Sequence, residues 1–370
     1  MKKYAPVPMI PGPVTVHPDA LAAMQCDFPS GDVDERYFAL YQEAGHKMAP
    51  LLGVEDGSHD VVFMSGEGML ALWSALKSVI APGDTVLSVG TGFFGDGIGD
   101  MAALCGARVE RVCLPHTSTI GCGNSLAMIE EAITRARPKM ITAVHCETPS
   151  GTLNPLAELG GLKKTHGVPL LYVDAVSSIG GTPVQAAQWN IDLLLGGSQK
   201  CLSAPPSLCF LAVSPVAWDV AAQVNYQGYD ALLPWKNVVA EKMCPYTPYW
   251  HGLAALDAAV AALLREGVEA VYARHNEVAE ACRNGLRALG LGLSTDADAV
   301  PSPTVTTAHL PEGVAFSHWA ELLKQRGLII AKSYGHLDGK VFRMGHMGTQ
   351  ASMELVRAAL GVIGQTLDNV

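Results

Sequence analysis

The chain has 370 residues, 49% hydrophobic and 16% charged, so it can bury a large core and is long enough to divide into two domains. A formal net charge of −10 argues against nucleic acid or an anionic membrane as the main partner, because either selects a basic surface. Nine cysteines without a C-x-x-C pair fit reduced thiols in the cytoplasm and imply no metal; no run of 18 apolar residues predicts a membrane span, and MKKYAPVPMIPGPV lacks the apolar run of a signal peptide.

Residues 1–16 are proline-rich and extended, with Pro11-Gly12-Pro13 a rigid turn. Phe38 to Leu52 has helical spacing. Val61 to Met64 reads as a strand, Ser65-Gly66-Glu67-Gly68 as a tight turn and Met69 to Ile80 as a helix, and a glycine turn that opens a helix is an anion site. Thr85 to Val89 is the next strand, followed by Gly90-Thr91-Gly92-Phe93-Phe94-Gly95, which matches the dinucleotide pattern G-x-G-x-x-G. That fingerprint should open the first βαβ unit and precede an acid by about 20 residues. Here a strand and a helix come before it and Glu110 arrives early, so an NAD-dependent dehydrogenase is a remote alternative.

Arg108 to Val112 and Met140 to His145 are strands, Ser125 to Ala136 is a helix between them, and Glu147-Thr148-Pro149-Ser150-Gly151 is a Pro/Gly turn. Pro155 to His166 forms a crossover helix into the strand Leu170 to Val173, which ends in Asp174. A second apolar run, Ile191 to Leu195, leads through Gly196, Gly197, Ser198 and Gln199 to Lys200, and Leu208 to Val213 is a further strand. The alternation over residues 60–213 predicts an α/β fold with a mostly parallel sheet covered on both faces. Residues 223–252 read as irregular and aromatic, and Leu253 to Arg265 and Val268 to Leu289 as long helices. A smaller α+β unit then has strand Thr304 to His309, helix Ser317 to Gln325, strand Leu328 to Ala331 and helix Ala351 to Ile363.

An acid and a lysine thus stand at the carboxyl ends of two strands, where open α/β sheets keep their ligand crevice. A partly desolvated lysine can form a Schiff base with a carbonyl. A pyridine cofactor held in that way needs a carboxylate against its ring nitrogen.

The segments DAVSSIGG and GGSQKCLSAPPS, with PGPV at 11–14 and FRMGHMG at 342–348, resemble the class V, fold-type I aminotransferases that use pyridoxal 5'-phosphate (PLP), the alanine–glyoxylate and serine–pyruvate group. The resemblance implies an N-terminal arm over 1–16 that crosses to a partner subunit, a large cofactor-binding domain over 17–266 and a small C-terminal domain over 267–370. It implies a homodimer with shared active sites, with pairing into tetramers left open, and a small amino acid and a 2-oxo acid of pyruvate or glyoxylate type as substrates.

Residue by residue, the resemblance gives Lys200 the Schiff base and the proton transfer, and Asp174 the ring nitrogen. Phe94 and Val176 sandwich the ring, Thr148 or Ser150 meets its phenolic oxygen, and Gln199 and Gly68 complete the cofactor site. Thr247 reaches the neighbouring subunit's phosphate site, where the usual tyrosine is replaced by about Cys244. Arg343 clamps the substrate carboxylate, and Gly12 of the PGPV turn lies near it. His145, His346 and Met347 read as packing residues beside the motifs.

Glu67 and Met69 stand where the family has serine and histidine at the cofactor phosphate, and a carboxylate there repels a phosphate dianion. Two readings follow. Glu67 turns outward and PLP binds, or Glu67 replaces the phosphate and the enzyme handles unphosphorylated pyridoxal or pyridoxamine. The second is similar to the pyridoxamine–pyruvate transaminase branch of the family, although Tyr334 stands where that branch has a second substrate arginine. A lyase of the cysteine desulfurase type lacks its mobile cysteine here, and a B6-binding non-catalytic module is a remote alternative.

Overall fold

The computed structural model describes residues 6–27 and 30–368. Seven strands form the central sheet: β1 (Asp60–Ser65), β2 (Thr85–Gly90), β3 (Arg108–Cys113), β4 (Met140–Val144), β5 (Leu170–Asp174), β6 (Leu193–Gly197) and β7 (Leu208–Val213). Their spatial order is β1-β7-β6-β5-β4-β2-β3. Five pair in parallel from β6 through β3, and β7 runs antiparallel to both β6 and β1. The α/β expectation of a mostly parallel sheet therefore holds. β4, β5 and β7 are buried at every position, which explains why they read as continuous apolar runs and not as alternating ones.

The sixth strand departs from the sequence reading. β6 begins at Leu193, not Ile191, because the Asp192 carboxylate turns inward to accept from Leu171 N–H at 2.7 Å and Ser214 Oγ at 3.0 Å. The strand then runs on through two glycines, since the Phe210 ring lies across the sheet and a Cβ on Gly196 would come within 2.1 Å of it. Three further helices were not read from the sequence: Pro18–Ala23 and Pro215–Val224, which are short and each open on a proline, and Phe93–Leu104, which holds three glycines. Helix α1 (Gly68–Val79) packs on β6 and β7, and helix α2 (Phe93–Leu104) on β2 and β4.

A second, smaller core gathers Met9, Cys282, Trp319, Phe342, Val356 and their neighbours. Its sheet sets strand Val341–Gly345 between Val305–His309 and Ala331–Lys332, all antiparallel. The run read as one strand from Leu328 to Ala331 is divided: Leu328 and Ile329 pair in parallel with Val7 and Pro8 of the arm, while Ala331 pairs with Arg343. Within the described residues the arm is joined to its own chain, and Met9 is fully buried there. Residues 1–5, the start of the expected crossing arm, lie outside the described residues.

Candidate active site

The polypeptide delivers Asp174 and Lys200 to one cavity by ending two neighbouring strands there. Asp174 pairs with Leu195 across β5 and β6, and the Ser198–Lys200 turn follows directly on the end of β6 at Gly197. A cavity of about 140 Å³ opens at this edge, and Lys200, Asp174, Val176, Phe94, Thr148, Glu67, Gly68, Met69 and Gln199 are among the residues that line it.

Asp174 Oδ1 accepts from Val176 N–H at 2.9 Å. Burial raises its pKa to about 6, with the Val176 N–H and the Lys200 charge pulling the other way. Lys200 Nζ donates to Pro11 O of the arm, and the Gly12 backbone lies so close that a Cβ there would stand 2.5 Å from Lys200 Cδ. Gly12 also has φ +87°, so glycine is required twice over. Burial, and next the Arg343 guanidinium, lower the proton affinity of Lys200.

Arg343 lies outside the cavity wall but is tied to it. It is 4% exposed; Nε donates to Lys332 O at 2.7 Å and Nη1 to Thr148 Oγ1 at 3.3 Å. The Tyr334 ring covers its guanidinium at 4.7 Å and packs against Phe93 at 5.5 Å. Thr247 is exposed and does not line this chain's cavity. Ser150 Oγ is turned to Thr152 Oγ1 at 2.8 Å, which leaves Thr148 as the hydroxyl of that turn in the cavity.

Glu67 combines the two alternatives. It is the N-cap of α1, Oε1 accepting from Met69 N–H at 3.1 Å, and it also lines the cavity. Gln199 Nε2 donates to its Oε2 at 3.4 Å, and Gln199 Oε1 is buried without a partner among the described residues.

His145 and His346 are buried and hydrogen-bonded beside the motifs. Burial lowers their pKa to about 4 and about 3, so both are neutral. His145 Nδ1 meets Ser178 Oγ at 2.9 Å and His346 Nε2 meets Thr306 Oγ1 at 2.8 Å, while Met347 is fully buried.

The residue that sequence reading missed is Glu147. It is fully buried, and both carboxylate oxygens accept backbone N–H groups of the first turn of α2, from Phe94 and from Gly95, each at 3.0 Å. Burial pushes its pKa up to about 8 against those two hydrogen bonds. The signal was present: an acid just past an apolar strand and beside a Pro/Gly turn, the same setting as Asp174. Glu147 also explains the glycine motif. A Cβ on Gly90 would meet Asp96 Oδ1 at 1.9 Å and one on Gly92 would meet Glu147 Cγ at 2.3 Å. The glycines make room for the protein's own carboxylates, and the helix end that a dinucleotide pyrophosphate would need is already capped.

Residues 30–368 match the family model described as aminotransferase class-V. The chain belongs to the class V aminotransferases. It is 32% identical to the pyridoxamine–pyruvate transaminase of Mesorhizobium japonicum, over 96% of this chain and 90% of that protein. It is 33% identical to the alanine–glyoxylate aminotransferase of Callithrix jacchus, over 83% of this chain and 75% of that one. Among solved structures it superposes on pyridoxamine–pyruvate aminotransferase from Mesorhizobium loti with a TM-score of 0.92 at 29% identity, covering 100% of this chain and 94% of that one. On alanine–glyoxylate aminotransferase from Nostoc sp. the TM-score is 0.91 at 29% identity, covering 98% and 95%.

As a class V aminotransferase the protein is an enzyme of a PLP-using family, and the dehydrogenase and non-catalytic readings fall away. The cavity fits the pyridine end of that cofactor: a buried acid for the ring nitrogen, an amine of lowered basicity for the aldehyde, and Phe94 and Val176 beside them. The lining at the start of α1 is different in kind, because the Glu67 carboxylate takes the Met69 N–H that a phosphate would otherwise use.

Proposed function

We propose that this aminotransferase moves the amino group of a small amino acid to a small 2-oxo acid of the pyruvate or glyoxylate type, with PLP held on Lys200. The observation that carries the reading is the convergence of Lys200, Asp174 and, through Thr148, Arg343 from three separate elements. The cofactor, when bound, supplies the electron sink for charge that develops at the substrate Cα. Lys200 takes the proton from that carbon, its lowered basicity suiting it to be unprotonated when needed. Asp174 holds a proton on the ring nitrogen. Arg343 orients the carboxylate with a planar fork that lysine cannot offer. Phe94 and Val176 hold the ring plane and exclude water.

Borohydride reduction of PLP-loaded protein followed by peptide mass spectrometry tests the reading. The label is expected on Lys200, with amino transfer from alanine or serine to glyoxylate or pyruvate abolished in Lys200→Ala. A label elsewhere, or turnover in that variant, sinks it.

A second reading has its own observation. Among the groups that line the cavity, the Glu67 carboxylate is an acceptor that already takes the Gln199 Nε2 donor, and Gln199 Oε1 is a second acceptor, buried without a partner among the described residues. A phosphate dianion needs donors, whereas the hydroxymethyl group of unphosphorylated B6 is one. Under this reading pyridoxamine is the amino donor and pyruvate the acceptor, as the name of the Mesorhizobium japonicum relative states for that protein. Titration with pyridoxal and with PLP separates the two: tighter binding of PLP supports the first, tighter binding of pyridoxal with turnover of pyridoxamine supports the second.

The protein is further read as a cytoplasmic homodimer with shared sites. Its nine cysteines are free thiols and no described helix is long and apolar enough to cross a membrane. Met69, which lines the cavity, is 40% exposed, Phe93 beside Phe94 is 44% exposed, and Thr247 is exposed, as a residue that serves a neighbouring subunit would be.

A further inference from the structure

Helix α2 begins at Phe93 after Gly92, a residue with no side chain to cap the first turn. The cap comes from far along the chain. Glu147 sits in a two-residue strand, Cys146–Glu147, paired antiparallel with Thr152–Leu153. Its two oxygens each take one N–H, from Phe94 and Gly95. A carboxylate supplies an acceptor for both donors; a glutamine amide of the same shape supplies one, and turns a second donor toward the other. The ionised form, which prevails above about pH 8, also suits the helix N-terminus.

The acid has little room to move. A Cβ on Gly92 would stand 2.3 Å from Glu147 Cγ. Its own carbonyl accepts from Gly151 N–H at 3.0 Å and from Ser150 Oγ at 3.2 Å, which locks the turn that follows. The next residue is Thr148, whose Oγ1 accepts from Arg343. Phe94 in turn has its ring edge against Tyr334 at 6.3 Å, and Tyr334 covers Arg343.

We infer that Glu147 is a positioning residue that holds Phe94 at its angle over the cofactor-ring position and ties that wall to the Thr148–Arg343 wall. It lines no part of the cavity and acts through Phe94. The role rests on the reading of the cavity as a vitamin B6 site. Freed from Glu147, the first turn of α2 frays and the aromatic ring loses its fixed plane, so the reacting groups are less well oriented in the bound complex.

The test uses Glu147→Gln, which keeps the side-chain shape, alone and combined with Phe94→Leu. In cofactor-free protein, hydrogen exchange at the Phe94 and Gly95 amides is expected to rise roughly tenfold while β4 and β5 keep their protection. In loaded protein the visible circular dichroism of the bound B6 chromophore should fall and kcat should drop on the order of tenfold, with KM changed less. In the Phe94→Leu background the same substitution should add little to either loss, because the two residues act in series. Glu147→Asp, whose oxygens are withdrawn by one methylene, replaces the glutamine variant if that one does not fold, with the same expectations. Unchanged exchange, or equal losses with and without Phe94, overturns the inference while wild-type protein still takes up B6. Wild-type protein that takes up none overturns the reading beneath it.

Discussion

Asp174 is made reluctant to ionise by folding. Its pKa is about 6 in the folded chain against 3.8 for the free side chain, so between those values the folded state binds more protons than the unfolded one. Stability contributed by this group is therefore greatest below pH 3.8, falls as pH rises toward 6, and stays low above that. Asp174→Asn keeps an acceptor for Val176 N–H and removes the buried charge. In cofactor-free protein it should raise the unfolding free energy by roughly 2–3 kcal/mol at pH 7.5 and by little near pH 4, measured by urea titration at both values. The same substitution should abolish transamination, the expected conflict between stability and a functional charge. Arg343→Lys keeps the charge and loses the fork; KM for the 2-oxo acid should rise roughly tenfold, read from steady-state kinetics. Lys200, Asp174 and Arg343 could be singled out as candidates because each follows or sits within a recognisable motif. Glu147 was not read as part of the site because its partners are backbone N–H groups some 50 positions away, which leave no side-chain signature.

Helix α2 shows what a sequence pattern hides at the scale of an element. It contains Gly95, Gly97 and Gly99, each of which costs a free helix about 1 kcal/mol relative to alanine, and so the stretch reads as a loop motif. Two of those glycines are answered by their surroundings. Gly95 packs against Gly90 Cα, and a Cβ on Gly99 would come within 2.6 Å of Ser88 Oγ and 2.7 Å of Arg111 Nη1. Gly97 meets nothing within 4 Å. Gly97→Ala should therefore stabilise the protein by roughly 0.5–1 kcal/mol, whereas Gly99→Ala should destabilise it by about 1–3 kcal/mol. Thermal unfolding of the pair decides the matter, and equal shifts of one sign would contradict this account of the helix. The strands were easier: β5 and β7 are apolar end to end because they are covered throughout, whereas the start of β6 was misplaced because Asp192 turns inward to bond across two strands.

For the whole molecule, the exposed apolar side chains of Met69 and Phe93 and the exposed Thr247 fit a site completed by a second subunit. The protein is expected to sediment at twice its 39.0 kDa chain mass. Lys200→Ala and Thr247→Ala chains, each impaired alone, should regain activity when refolded together, since a mixed dimer holds one site with both residues intact. A monomeric mass, or mixtures no more active than the better parent, would rule out sharing. The two cores of the chain also divide the work. The large sheet carries Asp174 and Lys200, and the smaller core carries Arg343, with Met9 and Pro11 of the arm joining them.

By itself the sequence determined the α/β class, the order of the strands along the chain, the pair of strand ends that hold the acid and the lysine, and the family. Those features are local: an apolar run and the residue that ends it lie together in the chain. Tertiary structure alone decided that the glycine motif wraps a buried glutamate, that Glu67 caps a helix and faces the cavity at once, and that Tyr334 lies over Arg343. Each of these depends on groups brought together from distant positions, and only the folded chain sets the close distances and low dielectric that give them their effect.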